Sequence, residues 1–221
     1  MKYLFFITFI VVGLTACNFT KPHEKVAQEE AQQAGLSAVA KSHFDATFIS
    51  PAVNFAQYKK LKVDDLDLTH VKIIKPDTQN LSQEPWELND EDKHYYQAKY
   101  SDAVKKSLID SGLYSISSEI GADTLVLKAK ITQIAPHASK DDFKGRPNLM
   151  KVYSEGFGRM TVVFEIYDSI SNKLVASATD EHDLGSMWEE NNRAQNNLQI
   201  RLAFDFWLNN LGKELTAAVK K

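Results

Sequence analysis

"GRMTVVFEIYDSISNKLVASATD" spans residues 158–180, and its period decides the fold class. Met160, Val162, Phe164 and Ile166 recur at every second position, with Arg159, Thr161, Val163, Glu165 and Tyr167 between them. Successive side chains of a strand point to opposite faces, so this spacing marks a strand with one apolar face. Asp168–Lys173 supplies turn formers. Leu174, Ala176 and Ala178 then repeat the period. The pair is read as an antiparallel hairpin with those three residues inward.

Working upstream, "DTLVLKAKITQI" (123–134) alternates in the same way, with Leu125, Leu127, Ala129 and Ile131 as its inward set. Residues 136–155 show no period. Connections of that length are usually functional or mobile. Gly156-Phe157-Gly158 lacks a third glycine and leads into a strand, so no helix N-terminus is present to hold phosphate. These glycines are read as a bulge or a tight approach to the strand.

Two segments carry helical spacing. Asn89 is placed to cap the first, and Asp90, Glu91 and Asp92 load its first turn with negative charge, which suits the helix dipole. Tyr96, Tyr100, Ala103, Val104 and Leu108 fall on one face, and Gly112 is placed to end the helix. The second runs over roughly Arg193–Lys220, with Ile200, Ala203, Phe204, Trp207, Leu211 and Leu215 on its stripe. Between residues 58 and 74 the alternation slips phase from Leu61 and Val63 to Leu66 and Leu68, which reads as one or two strands broken by a bulge. Residues 75–90 are read as a loop.

The order is therefore β-α-β-β-β-α. One-sided strands and two amphipathic helices imply an α+β fold: a two-layer sandwich of a roughly four-stranded sheet with two helices on one face. The other face is expected to stay open and to display Val126, Lys128, Lys130, Thr161, Val163, Glu165, Tyr167 and Val175. Lys128, Lys130, Val163 and Tyr167 are candidate partner-binding residues on that face. Trp188, in an expected loop, is either a lid over the core or a further partner anchor.

The chain has one cysteine, Cys17. Lys2 precedes an apolar run from Tyr3 to Val12, too short to span a bilayer, which takes roughly 20 residues. This is the layout of a secretory signal peptide. Leu14-Thr15-Ala16-Cys17 resembles the lipobox of bacterial lipoproteins, and that resemblance implies a lipid on the Cys17 thiol after removal of residues 1–16. Asn18, in place of aspartate, implies transfer to the outer membrane, facing the periplasm, rather than retention in the inner membrane. Residues 17–55 are expected to be the lipidated cysteine and its tether, and residues 56–221 a single domain.

A net charge of −3 leaves no basic excess, which disfavours nucleic acid as a partner. Among the six histidines no pair has metal-ligand spacing. "DEHD" (180–183) is the densest polar cluster, read as a solvated strand end, with a divalent-cation or acid–base site centred on His182 as the alternative. No catalytic residue, metal ligand or cofactor site is assigned.

"GADTLVLKAKITQIAP", "GFGRMTVVFEIYDSISNKLVASATDEHDLG" and "AFDFWLNNLGKEL" resemble the bacterial lipoproteins grouped as domain of unknown function 3313. Glu165, Asp168, Leu174 and Trp188 match that pattern, over roughly residues 56–217. The resemblance implies the fold and the lipoprotein assignment and no activity. The leading expectation is a non-enzymatic lipoprotein, anchored to the membrane by its lipid, that serves a cell-envelope protein complex as a binding or accessory subunit. A lipid- or small-ligand-binding lipoprotein is the alternative, and a hydrolase built around His182 the third.

Overall fold

The hairpin foreseen at residues 158–180 is the centre of the computed structural model, which describes residues 21–74, 86–137, 151 and 153–220. In chain order the elements are α1 (Pro22–Gln33), β1 (Ser37–Ala38), β2 (Ala46–Ile49), β3 (Lys60–Val63), β4 (Lys72–Ile73), α2 (Asp90–Val104), β5 (Ser115–Ile116), β6 (Thr124–Pro136), β7 (Tyr153–Glu155), β8 (Gly158–Asp168), β9 (Leu174–Leu184), β10 (Trp188–Glu190) and α3 (Arg193–Val219). Three long antiparallel strands, β6, β8 and β9, form the middle of the sheet.

The expected four-stranded sheet is corrected to an eight-stranded mixed sheet with the order β1-β2-β9-β8-β6-β3-β5, with β4 also on β6. A second sheet pairs β7 with β10, and the described residues hold three α-helices rather than two. Two causes account for β1, β2 and β4; β5 and the β7–β10 pair are strands of two or three residues, too short to show a period. The phase slip at 58–74 is two separate strands, since Lys60–Val63 of β3 pairs in parallel with Thr124–Leu127 of β6 and β4 with Gln133–Ile134. The segment expected to be a tether is folded: β2 pairs with β9, and α1 lies on the sheet.

On the inner face Met160, Val162, Phe164 and Ile166 are buried as their spacing foretold. They meet Tyr96, Tyr100 and Leu108 of the α2 region and Phe204, Trp207 and Leu211 of α3 in one core. Tyr96, Tyr100 and Trp207 all set their rings edge-on to Phe204, at centroid distances of 6.3, 6.2 and 5.9 Å. The α2 cap is as its sequence implied. The Asn89 side chain accepts from the Asp92 N–H at 2.9 Å, and the Asp92 carboxylate accepts from the Asn89 N–H at 3.0 Å. One π-helical turn, Lys105–Ile109, extends α2.

Two bulges reset which face a residue takes. Thr132 is unpaired between Ile131 and Gln133, so Ile134 rather than Gln133 becomes inward. On β9, Ile166 faces Ala176 but Tyr167 faces Leu174, which leaves Val175 as the extra residue. Val175 therefore joins the main core instead of the open face. Leu174, expected inward, packs with α1. An extra residue in one strand of a pair shifts the face of its neighbours.

The small β7–β10 ribbon leaves the main sheet through glycines. Gly156 has φ +64° and Gly158 φ +131°, and a Cβ at either would fall 2.2 or 2.3 Å from a backbone oxygen. Only glycine fits there.

Two stability tests follow from the packing. Phe164→Ala is expected to cost about 3–5 kcal/mol, as a large-to-small change in a fully buried site. Tyr100→Phe is expected to hold or raise the melting temperature, since its buried hydroxyl has no hydrogen-bond partner among the described residues and its desolvation is uncompensated. Thermal melts of both variants check this.

Candidate functional site

Outward-facing residues of β6 and β8 form a connected polar surface. The Lys130 ammonium pairs with Glu165 Oε1 at 2.8 Å, the Tyr167 hydroxyl donates to Glu165 Oε2 at 3.0 Å, and Lys128 Nζ lies 4.8 Å from the centre of the Tyr167 ring. The structure thus brings Lys128, Lys130 and Tyr167 together, with Val163 one pleat away on the same face of β8. Their proximity follows from register: Lys128 faces Glu165, Lys130 faces Val163 and Val126 faces Tyr167 across the β6–β8 pair. Burial, then the neighbouring Glu165 charge, pushes the Tyr167 hydroxyl up to about 12.

Helix α1 covers only part of this surface. Its Ala27 and Ala31 pack with Leu36 and Phe48, and with Ala46 and Leu174 at the margin, into a second small core on the outer side. Small residues let the helix approach the sheet. Between α1 and the exposed strands runs a groove of about 770 Å³, with Val26 and Glu30 on the helix side and Lys130, Thr161 and Val163 on the floor. Arg159 and Glu181, paired at 3.1 Å, stand at its mouth.

Asp45 fixes α1 at that end. Its carboxylate meets Lys21 Nζ and His23 Nε2, each at 2.9 Å, and accepts the Glu181 N–H at 3.0 Å. Burial works against its charge, but the Glu181 N–H, Lys21 and His23 outweigh it and hold the carboxyl below its usual range. His23, Glu24 and Asp45 have donor atoms within 4.8 Å of one another, a spacing that could hold a metal ion. The ammonium of Lys21 on the same carboxylate opposes a cation there, and the arrangement reads as a clamp on the helix.

The remaining sequence candidates fall elsewhere. Alternation along β9 splits "DEHD": Asp180 and His182 turn to the helices and Glu181 to the groove. Asp180 is not a solvated strand end. It is buried, accepts from Trp207 Nε1 at 2.8 Å and from the Asp45 N–H at 3.1 Å. Burial pushes its pKa up. His182 stacks on Phe206 with 4.3 Å between ring centres, so its ring is used in packing. Trp188 lies on β10, not in a loop, and is separate from the groove, with 73% of its surface exposed. Cys17 lies outside the described residues. Sequence reasoning passed over Lys21, His23 and Asp45, whose association depends on α1 docking and has no local signature, and Arg159, which pairs with Glu181 across β8 and β9.

Two measurements test this geometry. Glu165→Gln removes the charge that disfavours tyrosinate, so the Tyr167 pKa should fall from about 12 while remaining above that of a free tyrosine; ultraviolet titration reads it. Asp45 ionises more readily in the folded protein than in the unfolded chain. Its contribution is complete above the unfolded value of about 3.9 and is lost as pH falls through the lower folded value. Thermal melts of the protein and its Asp45→Asn variant should therefore differ at neutral pH and converge in acid.

Several known structures are similar to this chain at low identity. PelC from Paraburkholderia phytofirmans, a dodecamer, gives a TM-score of 0.39 at 15% identity, over 75% of this chain and 94% of that one. A DUF330 protein from Xanthomonas campestris gives 0.43 at 11% identity, over 84% and 95%. A putative neuraminyllactose-binding hemagglutinin homolog from Helicobacter pylori gives 0.40 at 13% identity, over 74% and 86%. Scores this low carry neither function nor assembly across to this chain. No match was found among curated proteins. The family model of DUF3313, described as a protein of unknown function, matches residues 27–211, and the chain belongs to that family.

Proposed function

We propose that this protein is a non-enzymatic, lipid-anchored lipoprotein of the bacterial outer membrane, and that it binds a cell-envelope protein partner in the groove beside α1. The groove is the observation that carries the reading. It is built from one helix and a strand face, and its lining mixes apolar contact area (Val26, Val163) with charged groups at its rim and floor. Apolar area with a few fixed polar groups is the usual make-up of a recognition surface.

The lining charges support binding rather than catalysis. Arg159 is engaged by Glu181, Lys130 by Glu165 and Lys21 by Asp45. Catalysis calls for a nucleophile, a base and an orienting group converging on one point, whereas these groups neutralise one another in pairs. The anchor rests on Leu14-Thr15-Ala16-Cys17. A second reading, a lipid or small ligand in the same groove, is favoured by its volume of about 770 Å³, within the roughly 300–1,000 Å³ of small-molecule sites.

Photo-crosslinkers at Lys130 and Val163 in the native host should give adducts with an envelope protein. Adducts only from Lys213, on α3, would move the interface to the helix layer and sink the proposal. Native mass spectrometry separates the second reading, which expects a bound small molecule. Cys17→Ser should remove palmitate label and leave an unprocessed precursor.

A further inference from the structure

We propose that the β7–β10 ribbon is a membrane contact: Tyr153 and Trp188 seat in the lipid interface beside the acyl chains on Cys17. This rests on the lipoprotein reading above and adds an orientation to it.

The argument starts from chain length. Lys21 is held to Asp45 at 2.9 Å. Four peptide units separate Lys21 from Cys17, and fully extended they reach at most ~14 Å. The end of the sheet beside which Lys21 is clamped must therefore lie close to the bilayer surface.

That end carries the ribbon. Asp45 binds the backbone of Glu181, and Lys21 and His23 share the groove mouth with Arg159. Arg159 is the second residue of β8, and Glu181 is three residues from the end of β9. The opposite end of α1, at Ala31, packs near Leu174, where β9 begins. Helix α1 therefore runs away from the ribbon, and its lipid-bearing side points toward it. The chain passes from β7 into β8 through Gly156 and Gly158, and from β9 toward β10 through Gly185.

The ribbon has two unlike faces. Trp188 lies opposite Glu155, and Glu190 opposite Tyr153, so these four share one face. Ser154 and Glu189 take the other, where Ser154 is buried and Glu189 accepts from Gln199 Nε2 of α3 at 3.1 Å. Trp188 is 73% exposed, Met187 74% and Tyr153 47%, while Trp86 and Trp207 are buried. Tryptophan and tyrosine pair an apolar body with a polar tip and favour the headgroup level of a bilayer. The exposed face also carries Glu155 and Glu190, and Lys151 pairs with Glu190 at 2.8 Å. Among the described residues at the ribbon, Glu155, Glu189 and Glu190 outnumber Lys151, so the rings of Trp188 and Tyr153 carry the contact rather than attraction to anionic lipid.

The test uses the full lipidated chain in vesicles of phosphatidylethanolamine with a minor share of phosphatidylglycerol, some carrying bromine high on the acyl chains. The Trp188 signal is the difference between the protein and its Trp188→Phe variant. It should shift to the blue, lose most of its intensity to brominated lipid and be several-fold less quenched by aqueous iodide than in detergent-free solution without vesicles. Added salt should change none of these. Palmitate labelling of the same preparation reports the anchor independently. Label at Cys17 with Trp188 untouched by bromine overturns the membrane contact alone, and if iodide is excluded as well, a protein surface covers the ribbon instead. Absence of label at Cys17 overturns both the lipoprotein reading and the reach argument built on it.

Discussion

Strand β8 is paired along its length on both sides, with β6 from Gly158 to Asp168 and with β9 from Gly158 to Tyr167. A one-residue slip in either pairing would turn its apolar set to water, so this register constrains both faces at once. Inward, it delivers Met160, Val162, Phe164 and Ile166 to α2 and α3. Outward, it places Glu165 where Lys130 and Tyr167 can both reach it, and Val163 where α1 leaves the floor uncovered. Core and groove are two readings of a single alternation.

Asp180 links the layers that β8 separates. One carboxylate oxygen takes the Trp207 indole N–H from the helix layer, and the other takes the Asp45 N–H from the segment that leads into β2. Asp45 in turn holds α1 through Lys21 and His23. Two acidic residues thus tie α3, β9, β2 and α1 together, although burial resists the charge of both and prevails at Asp180. Such a node is tolerated because its oxygens are bonded; a buried carboxylate without those donors would be strongly destabilising.

The parts of the structure with a short period were legible from the residues. The alternation at 158–180 and 123–134, the Asn89 cap and the aromatic stripes of α2 and α3 all lie in contiguous sequence. Two kinds of feature were not. Bulges at Thr132 and Val175 depend on how neighbouring strands meet, and nothing local to Leu174-Val175-Ala176 distinguishes a bulge from continued alternation. Helix α1 has little apolar area beyond Ala27, Ala31 and Val26, so it resembles a spacer until a sheet surface is present to receive its alanines. The site residues divided in the same way. Lys128, Lys130, Val163 and Tyr167 share a face by period alone, whereas Lys21, His23 and Asp45 come together only through tertiary docking.

Strand β2 ends its pairing where Ala46 faces Thr179, so β9 runs on beyond its neighbour. The Asp45 side chain takes over there, accepting the Glu181 N–H that a further strand residue would otherwise have met. A carboxylate at that position satisfies the donor yet offers no N–H in return, and Glu181 and Asp183 add charge along the same margin. An incoming strand from another molecule would find the ladder already terminated. The clamp on α1 therefore also caps this stretch of β9, leaving no free ladder there for a second chain to extend.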